Sequence, residues 1–230
     1  MSENIISTSG IVKSFPGSNG PVTVLKGIGI EIPKGKLTIL KGRSGSGKTT
    51  LLNIISALDI PDSGSVIFDG EDITRISESE REKLRRYRIG LVFQSVALIP
   101  IMSAYENVDF ILRMADYKED SDERIRQVLS YVGLAERLDH MPAQMSGGEQ
   151  QRVAIARAIA HKPSVVFADE PTGALDTAAG LTVMRLFREL IDKEGITIVM
   201  TTHDPNLMEM GDVVYEIGDG EIIGKTVNHH

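Results

Sequence analysis

Residues 37–52 read LTILKGRSGSGKTTLL, and the fold turns on how that stretch is understood. Leu37, Ile39 and Leu40 form a short apolar run suited to a buried strand. Gly42, Arg43, Ser44, Gly45, Ser46 and Gly47 follow, then Lys48, Thr49 and Thr50; Leu51, Leu52, Ile54 and Ile55 resume at helical spacing. Strand, glycine-rich loop and helix form the setting in which G-x-x-x-x-G-K-T binds phosphate. Lacking Cβ atoms, Gly42, Gly45 and Gly47 let the backbone lie close against phosphate oxygens. Amides at a helix N-terminus then face the anion, which the aligned peptide dipoles favour. Lys48 supplies a cation for the β- and γ-phosphates, and the Thr49 hydroxyl is placed to ligate the Mg²⁺ that bridges them. A plain Gly/Ser turn would account for the glycines but not for both flanks, so the loop is read as nucleotide-binding.

The bulk properties set limits on the rest. The chain has 230 residues, 41% hydrophobic and 25% charged, an ordinary globular composition that argues against disorder. Its net charge of −7 weighs against a nucleic-acid partner, because phosphate-backbone binders usually carry a basic face, although a local basic patch is compatible with it. With no cysteine, disulfides, thiolate metal sites and thiol redox chemistry are excluded, which suits the cytoplasm. The most apolar stretch, 89–102, is interrupted by Gln94, Ser95 and Pro100 and is too short to span a bilayer. The N-terminus lacks a basic-then-apolar secretory pattern, so if the protein works at a membrane something else must hold it there. His229 and His230 are set aside as native residues or a tag remnant.

Taken in order, 5–32 reads as strands of an antiparallel flap, with Ile28, Ile30 and Ile32 alternating. Phe15, beside Pro16 and Gly17, is either a core aromatic or an exposed ring on which a base stacks; the residues alone favour the core. A turn at 61–64, a strand at 65–68 and a charged helix at 77–88 precede a buried strand at 89–93 that ends at Gln94. From 95 to 161 the chain turns helix-rich, with Ser121 as an N-cap and Ile125, Val128, Leu129 and Val132 on one apolar face. A helix at 149–160 follows a polar loop. Alternating character returns with a strand at 164–168, a helix at 177–194, a strand at 196–200 and a hairpin turning at 218–220. Strands alternating with helices imply a parallel sheet with crossovers.

Several polar residues stand at the ends of these strands. Asp169 and Glu170 close the 164–168 strand, at the carboxyl edge where ligand sites of α/β sheets gather. Asp169 is placed to hold Mg²⁺ through water, and Glu170, facing elsewhere by strand alternation, to accept a proton from an attacking water. His203 ends the neighbouring strand and Gln94 a third, where it would bind Mg²⁺ or orient water; each would otherwise be an ordinary polar loop residue. Ser146-Gly147-Gly148-Glu149 opens a helix. Ser146 and Glu149 suit a capping box, while the two glycines bare amides at a positive helix end, a second anion site for a nucleotide held by another subunit.

GRSGSGKT, LVFQS, MSGGEQQRVAIARAI, VVFADEPTGALD and TTHD occur in the order found in ATP-binding-cassette (ABC) nucleotide-binding subunits, which the chain resembles over nearly its whole length. The resemblance implies an α/β P-loop NTPase with a RecA-like core, an antiparallel β-subdomain and an inserted helical subdomain. Core and β-subdomain would span 1–94 and 162–228 of a single 1–228 domain, and the helical insert 95–161. It implies ATP and Mg²⁺ as ligands, and a head-to-tail homodimer with two ATP molecules at its interface. Phe15 then matches an adenine-stacking aromatic, reversing its reading as core. Gly42, Ser44, Gly45, Ser46, Gly47, Lys48, Thr49 and Thr50 match the phosphate loop; Thr49, Gln94 and Asp169 match the metal ligands. Glu170 matches the general base and His203 the switch histidine; Ser146, Gly147, Gly148 and Glu149 match the signature acting in trans, and Asp176 a dimer-interface loop. Met145 and Glu149 depart from the usual Leu and Gln. The first is a volume-conserving swap, and the second still accepts a hydrogen bond.

ALDIPDSG, IPIMSAYENV and ADEPTGALD resemble more narrowly the lipoprotein-release, macrolide-export and cell-division subunits. Such subunits sit on the inner face of the cell membrane through a separate permease. A soluble ABC ATPase acting on nucleic acid or the ribosome is the alternative; its relatives tend to carry coiled coils, zinc modules or paired cassettes, none of which this sequence shows.

Overall fold

The computed structural model describes residues 3–18 and 20–228; His229 and His230 lie outside the described residues. Strands β1 (Asn4–Phe15), β2 (Val22–Ile28) and β3 (Glu31–Pro33) lead to β4 (Leu37–Lys41) and helix α1 (Lys48–Ile55). Next come β5 (Ser63–Phe68), β6 (Glu71–Asp72), α2 (Glu78–Arg88) and β7 (Ile89–Val92). Three helices follow, α3 (Ala104–Met114), α4 (Ser121–Tyr131) and α5 (Gly147–Ile159). The chain closes with β8 (Val165–Ala168), α6 (Thr177–Glu194), β9 (Thr197–Thr202), β10 (Val213–Gly218) and β11 (Glu221–Val227).

These strands make two sheets. The first is antiparallel, in the order β2-β1-β5-β6, with β3 also pairing with β1. The second runs β11-β10-β4-β9-β8-β7, parallel from β10 to β7, with β11 antiparallel at its edge. Alternation along the central strands divides the core in two. Ile39, Val166, Ala168, Ile198 and Met200 pack with α3, α4, α5 and α6, whereas Leu40, Val165, Phe167 and Val199 pack with α1 and the first sheet. Both faces are covered, which is why these strands read as unbroken apolar runs.

The flap at 5–32 is the antiparallel sheet, and Ile28, Ile30 and Ile32 are all buried, though the chain breaks between β2 and β3. Helix α6 occupies 177–194, stopped by Gly195 in the left-handed region at φ 65°. Two local expectations are corrected. The N-cap of α4 is Asp120, whose side chain accepts from the Glu123 amide, and Ser121 is the first helical residue. Carboxylate and hydroxyl both suit that position, and here the acid one residue earlier takes it. Phe15 is 41% exposed and not a core side chain. It ends β1 with the Lys13 ammonium 5.4 Å from its ring centroid.

Candidate active site

The loop between β4 and α1 is shaped by what its glycines must pass. A Cβ on Gly42 would lie 2.3 Å from the Ile217 carbonyl oxygen and 2.6 Å from Ser46 Oγ. One on Gly47 would meet Leu25 Cδ2 at 2.7 Å, and Gly47 sits at φ 104°, where a side chain is strained. The β10–β11 turn supports the loop from behind, the Gly220 amide donating to the Ser46 carbonyl at 3.2 Å. Gly47 heads α1 without any side-chain cap, so the first-turn amides remain for a ligand. Ser46 Oγ is buried without a hydrogen-bond partner, an orphaned donor that a phosphate oxygen would satisfy. The residues present therefore fit a bound nucleotide.

Lys48, 5% exposed at its side chain, donates to the carbonyls of Gly42 at 2.9 Å and Arg43 at 3.0 Å. Its Nζ is 3.9 Å from Glu170 Oε1. Glu170 Oε2 lies 3.4 Å from Gln94 Nε2 and 3.4 Å from His203 Nδ1. Three sequence-selected residues from three separate segments thus meet at the carboxylate of a fourth, on the carboxyl edge of the parallel strands.

Strand alternation, the expectation from the sequence, does not set the direction of Glu170, which lies past the end of β8. Its backbone is left-handed, at φ 44°, so a turn sets its direction, closed by the Gly173 amide donating to the Glu170 carbonyl at 2.9 Å. Gln94 lies two residues past the end of β7 and meets Glu170; among the described residues it makes no hydrogen bond to Thr49 or Asp169.

Thr49 and Asp169 are joined directly, the Thr49 hydroxyl donating to Asp169 Oδ1 at 3.1 Å. These are two hard oxygen donors of the kind Mg²⁺ takes alongside substrate phosphates. Among the described residues no cluster of three or more His, Cys, Asp or Glu side chains could hold a metal. The pair fits a metal shared with a nucleotide rather than one caged by protein.

Sequence reasoning missed Thr201. It is fully buried, donates to Asp169 Oδ1 at 2.6 Å, and accepts from the Glu170 amide at 2.8 Å. One hydroxyl therefore fixes both acids. The signal available was its place in TTHD, directly after the apolar strand run and two residues before His203.

Ser146 caps α5 in a full capping box: its hydroxyl accepts from the Glu149 amide at 3.3 Å, while its own amide donates to Glu149 Oε2 at 2.8 Å. Bonds from the Ser146 amide and hydroxyl hold the Glu149 carboxyl below the ordinary carboxylate range. Among the described residues no hydrogen bond or ion pair links 146–149 to the phosphate loop of the same chain. Asp176 caps α6, accepting from the Ala179 amide at 2.8 Å. With Glu170 and His203 it lines a cavity of about 310 Å³.

Residues 25–173 match the family model described as ABC transporter, and the chain belongs to that family. It is 44% identical over 222 residues to the macrolide export ATP-binding/permease protein MacB of Syntrophobacter fumaroxidans, covering 95% of this chain and 31% of that protein. The chain thus spans about a third of the length of the MacB relatives it matches. It is 43% identical to the lipoprotein-releasing system ATP-binding protein LolD of Bacteroides thetaiotaomicron, covering 95% of this chain and 99% of that one. Among solved structures, a dimeric post-hydrolysis state of the ATP-binding cassette MJ0796 bound to ADP and Pi superposes with a TM-score of 0.89. It is 35% identical over 98% of this chain and 99% of that chain. The fold is that of the ABC cassettes, an α/β P-loop NTPase.

Proposed function

We propose that this chain is the ATP-binding, ATP-hydrolysing subunit of an ABC transporter, working as a head-to-tail homodimer on a separate membrane permease in export, lipoprotein release or mechanotransmission. The observation that carries the reading is the meeting of Lys48, Gln94 and His203 on Glu170, beside the Thr49–Asp169 pair. In this reading Phe15 stacks on adenine; Gly42, Ser44–Gly47 and Thr50 cradle the phosphates, and Lys48 stabilises charge on the β- and γ-oxygens. Glu170 takes the proton of the attacking water, Gln94 orients that water, and His203 holds the γ-phosphate. Mg²⁺ would be held by Thr49, Asp169 and Gln94 and would neutralise charge on the phosphate oxygens.

Ser146, Gly147, Gly148 and Glu149 complete the site of the opposite copy, with Asp176 at the interface. An anion cradle at the head of α5 without a ligand loop of its own chain supports that assignment. Residues 95–161 form the helical subdomain and the remainder of 1–228 the core and β-subdomain.

Among the described residues no helix is long and apolar enough to cross a membrane. The location on the inner face of the cell membrane rests on the permease, and the similarity to LolD and MacB supports it. The test is phosphate release from Mg²⁺-ATP by wild type and by Glu170→Gln. Loss of a general base costs about 10²–10⁴-fold, and a variant turning over at the wild-type rate would remove Glu170 from that role.

A further inference from the structure

We propose that Lys13 is a positioning residue for the nucleotide base, acting through Phe15, and that the segment 58–62 locks it in place from the far end of the phosphate-loop helix. The inference rests on the reading above in giving Phe15 the adenine ring. Lys13 and Phe15 stand two residues apart on β1, the separation that brings strand side chains to one face, and the ammonium lies 5.4 Å from the ring centroid.

An exposed lysine would swing on its four-carbon stem and orient nothing. This side chain is only 11% exposed and is tied at two points, donating to Asp59 Oδ1 at 2.8 Å and to the Ile60 carbonyl at 2.7 Å. Asp59 is held in turn: its Oδ1 accepts from the Ile60 amide at 2.7 Å, and its own amide donates to the Asn53 carbonyl at 3.0 Å. The backbone beside Lys13 is fastened to the same segment. The Ser14 amide donates to Asp62 Oδ2 at 2.6 Å, and the Asp62 amide to the Val12 carbonyl at 2.8 Å. The ammonium is therefore a fixed point charge, while Phe15 stays exposed.

A fixed, desolvated cation beside an aromatic ring attracts it more strongly than a mobile, hydrated one, so Lys13 restrains the orientation in which Phe15 meets a base. The cation also draws π-density toward itself, which leaves the remaining ring surface better matched to an electron-rich purine. Asn53 lies in α1, the helix that Lys48 begins. Hydrogen bonds thus run from that helix through Asp59 and Lys13 to the residue that meets the base, fixing the spacing between base and phosphates. An ion pair that merely tied β1 to the loop after α1 would have no dependence on Phe15, and that dependence is what the test reads.

The test is a double-mutant cycle on the full chain, with Mg²⁺-ADP affinity measured by calorimetry so that no turnover intervenes. Phe15→Ala is expected to weaken ADP by about tenfold, and Lys13→Met, which keeps the stem and removes the charge, by about fivefold. The double variant should bind within about twofold of Phe15→Ala alone, because Lys13 has no ring left to act on. Lys13→Arg, a cation of similar reach, should recover most of the loss. Folding of each variant is checked by its thermal midpoint. Should Lys13→Met unfold, Asp59→Asn takes its place in the cycle; it loosens the anchor and is expected to weaken ADP by about twofold to threefold, again only where Phe15 is present.

Three results overturn the proposal, and they separate it from the reading it rests on. Wild-type affinity in Lys13→Met and Asp59→Asn, with Phe15→Ala weakened, sinks this inference alone. So does a loss on removing Lys13 that is as large without Phe15 as with it, which would make the lysine a structural ion-pair partner only. Wild-type affinity in Phe15→Ala removes the stacking role of Phe15 and this inference with it.

Discussion

Replacing Thr201 by valine keeps the shape of a fully buried side chain and deletes the one hydroxyl that Asp169 and Glu170 share. The loss has two parts. A hydrogen bond to a carboxylate contributes about 1.5–3 kcal/mol, and a partly buried amide left without an acceptor costs up to about 1–3 kcal/mol. Because the two share one atom they overlap, and a net destabilisation of about 3 kcal/mol is expected. For a chain of 230 residues, each kcal/mol moves the melting midpoint by about 2–4 °C, so Thr201→Val should melt roughly 6–12 °C below wild type. Turnover should fall by about tenfold as the two acids lose their common anchor. Thr201→Ser, which keeps the hydroxyl, should recover most of both. Differential scanning calorimetry and a phosphate-release assay read the two effects. A Thr201→Val protein melting within about 2 °C of wild type with unchanged turnover would refute the claim that this hydroxyl positions the acids.

Two other outcomes follow from the geometry. Ser146→Arg places a long cation at the head of α5, away from the chain's own phosphate loop. Hydrolysis should be lost while calorimetric ATP affinity of the monomer stays within about twofold, and parallel loss of binding would argue against action in trans. His161 Nε2 donates to the Ile89 carbonyl at 3.1 Å, and burial pushes its pKa below the ordinary histidine value. Since the unfolded chain takes up that proton first, its contribution to stability is complete above about pH 6.5 and declines as pH falls below it. A denaturant series from pH 8 to 5 should show this slope, and His161→Gln should flatten it; an unchanged slope would exclude His161 as its source.

Much of this arrangement was open to reading because local rules agreed with one another. The apolar run at 37–40, the glycines and Lys48 gave strand, loop and helix in register, since a strand buried on both faces needs no polar alternation. The capping box at Ser146 and Glu149 and the Gly195 stop of α6 are governed by neighbours three or four residues away, so the sequence holds everything they need. What escaped depends on contacts distant in the chain. Thr201 takes its importance from Asp169, more than thirty residues earlier. Glu170 is turned by a left-handed backbone that no acidic strand end announces. Gln94 finds its partner across the sheet edge, and no spacing rule links it to Glu170. The exposure of Phe15 also depended on how the flap seats against the rest, which is why its residues alone pointed to the core and the family resemblance pointed outward.

All of these assignments converge on composite sites, each taking its phosphate loop from one copy and its Ser146–Glu149 helix head from the other. The most direct test is the oligomeric state of Glu170→Gln with Mg²⁺-ATP, measured by sedimentation velocity over a wide concentration range. The account predicts a stable dimer that appears only with nucleotide and is abolished by Ser146→Arg. A strictly monomeric protein at the highest concentration, with ATP demonstrably bound, would contradict it.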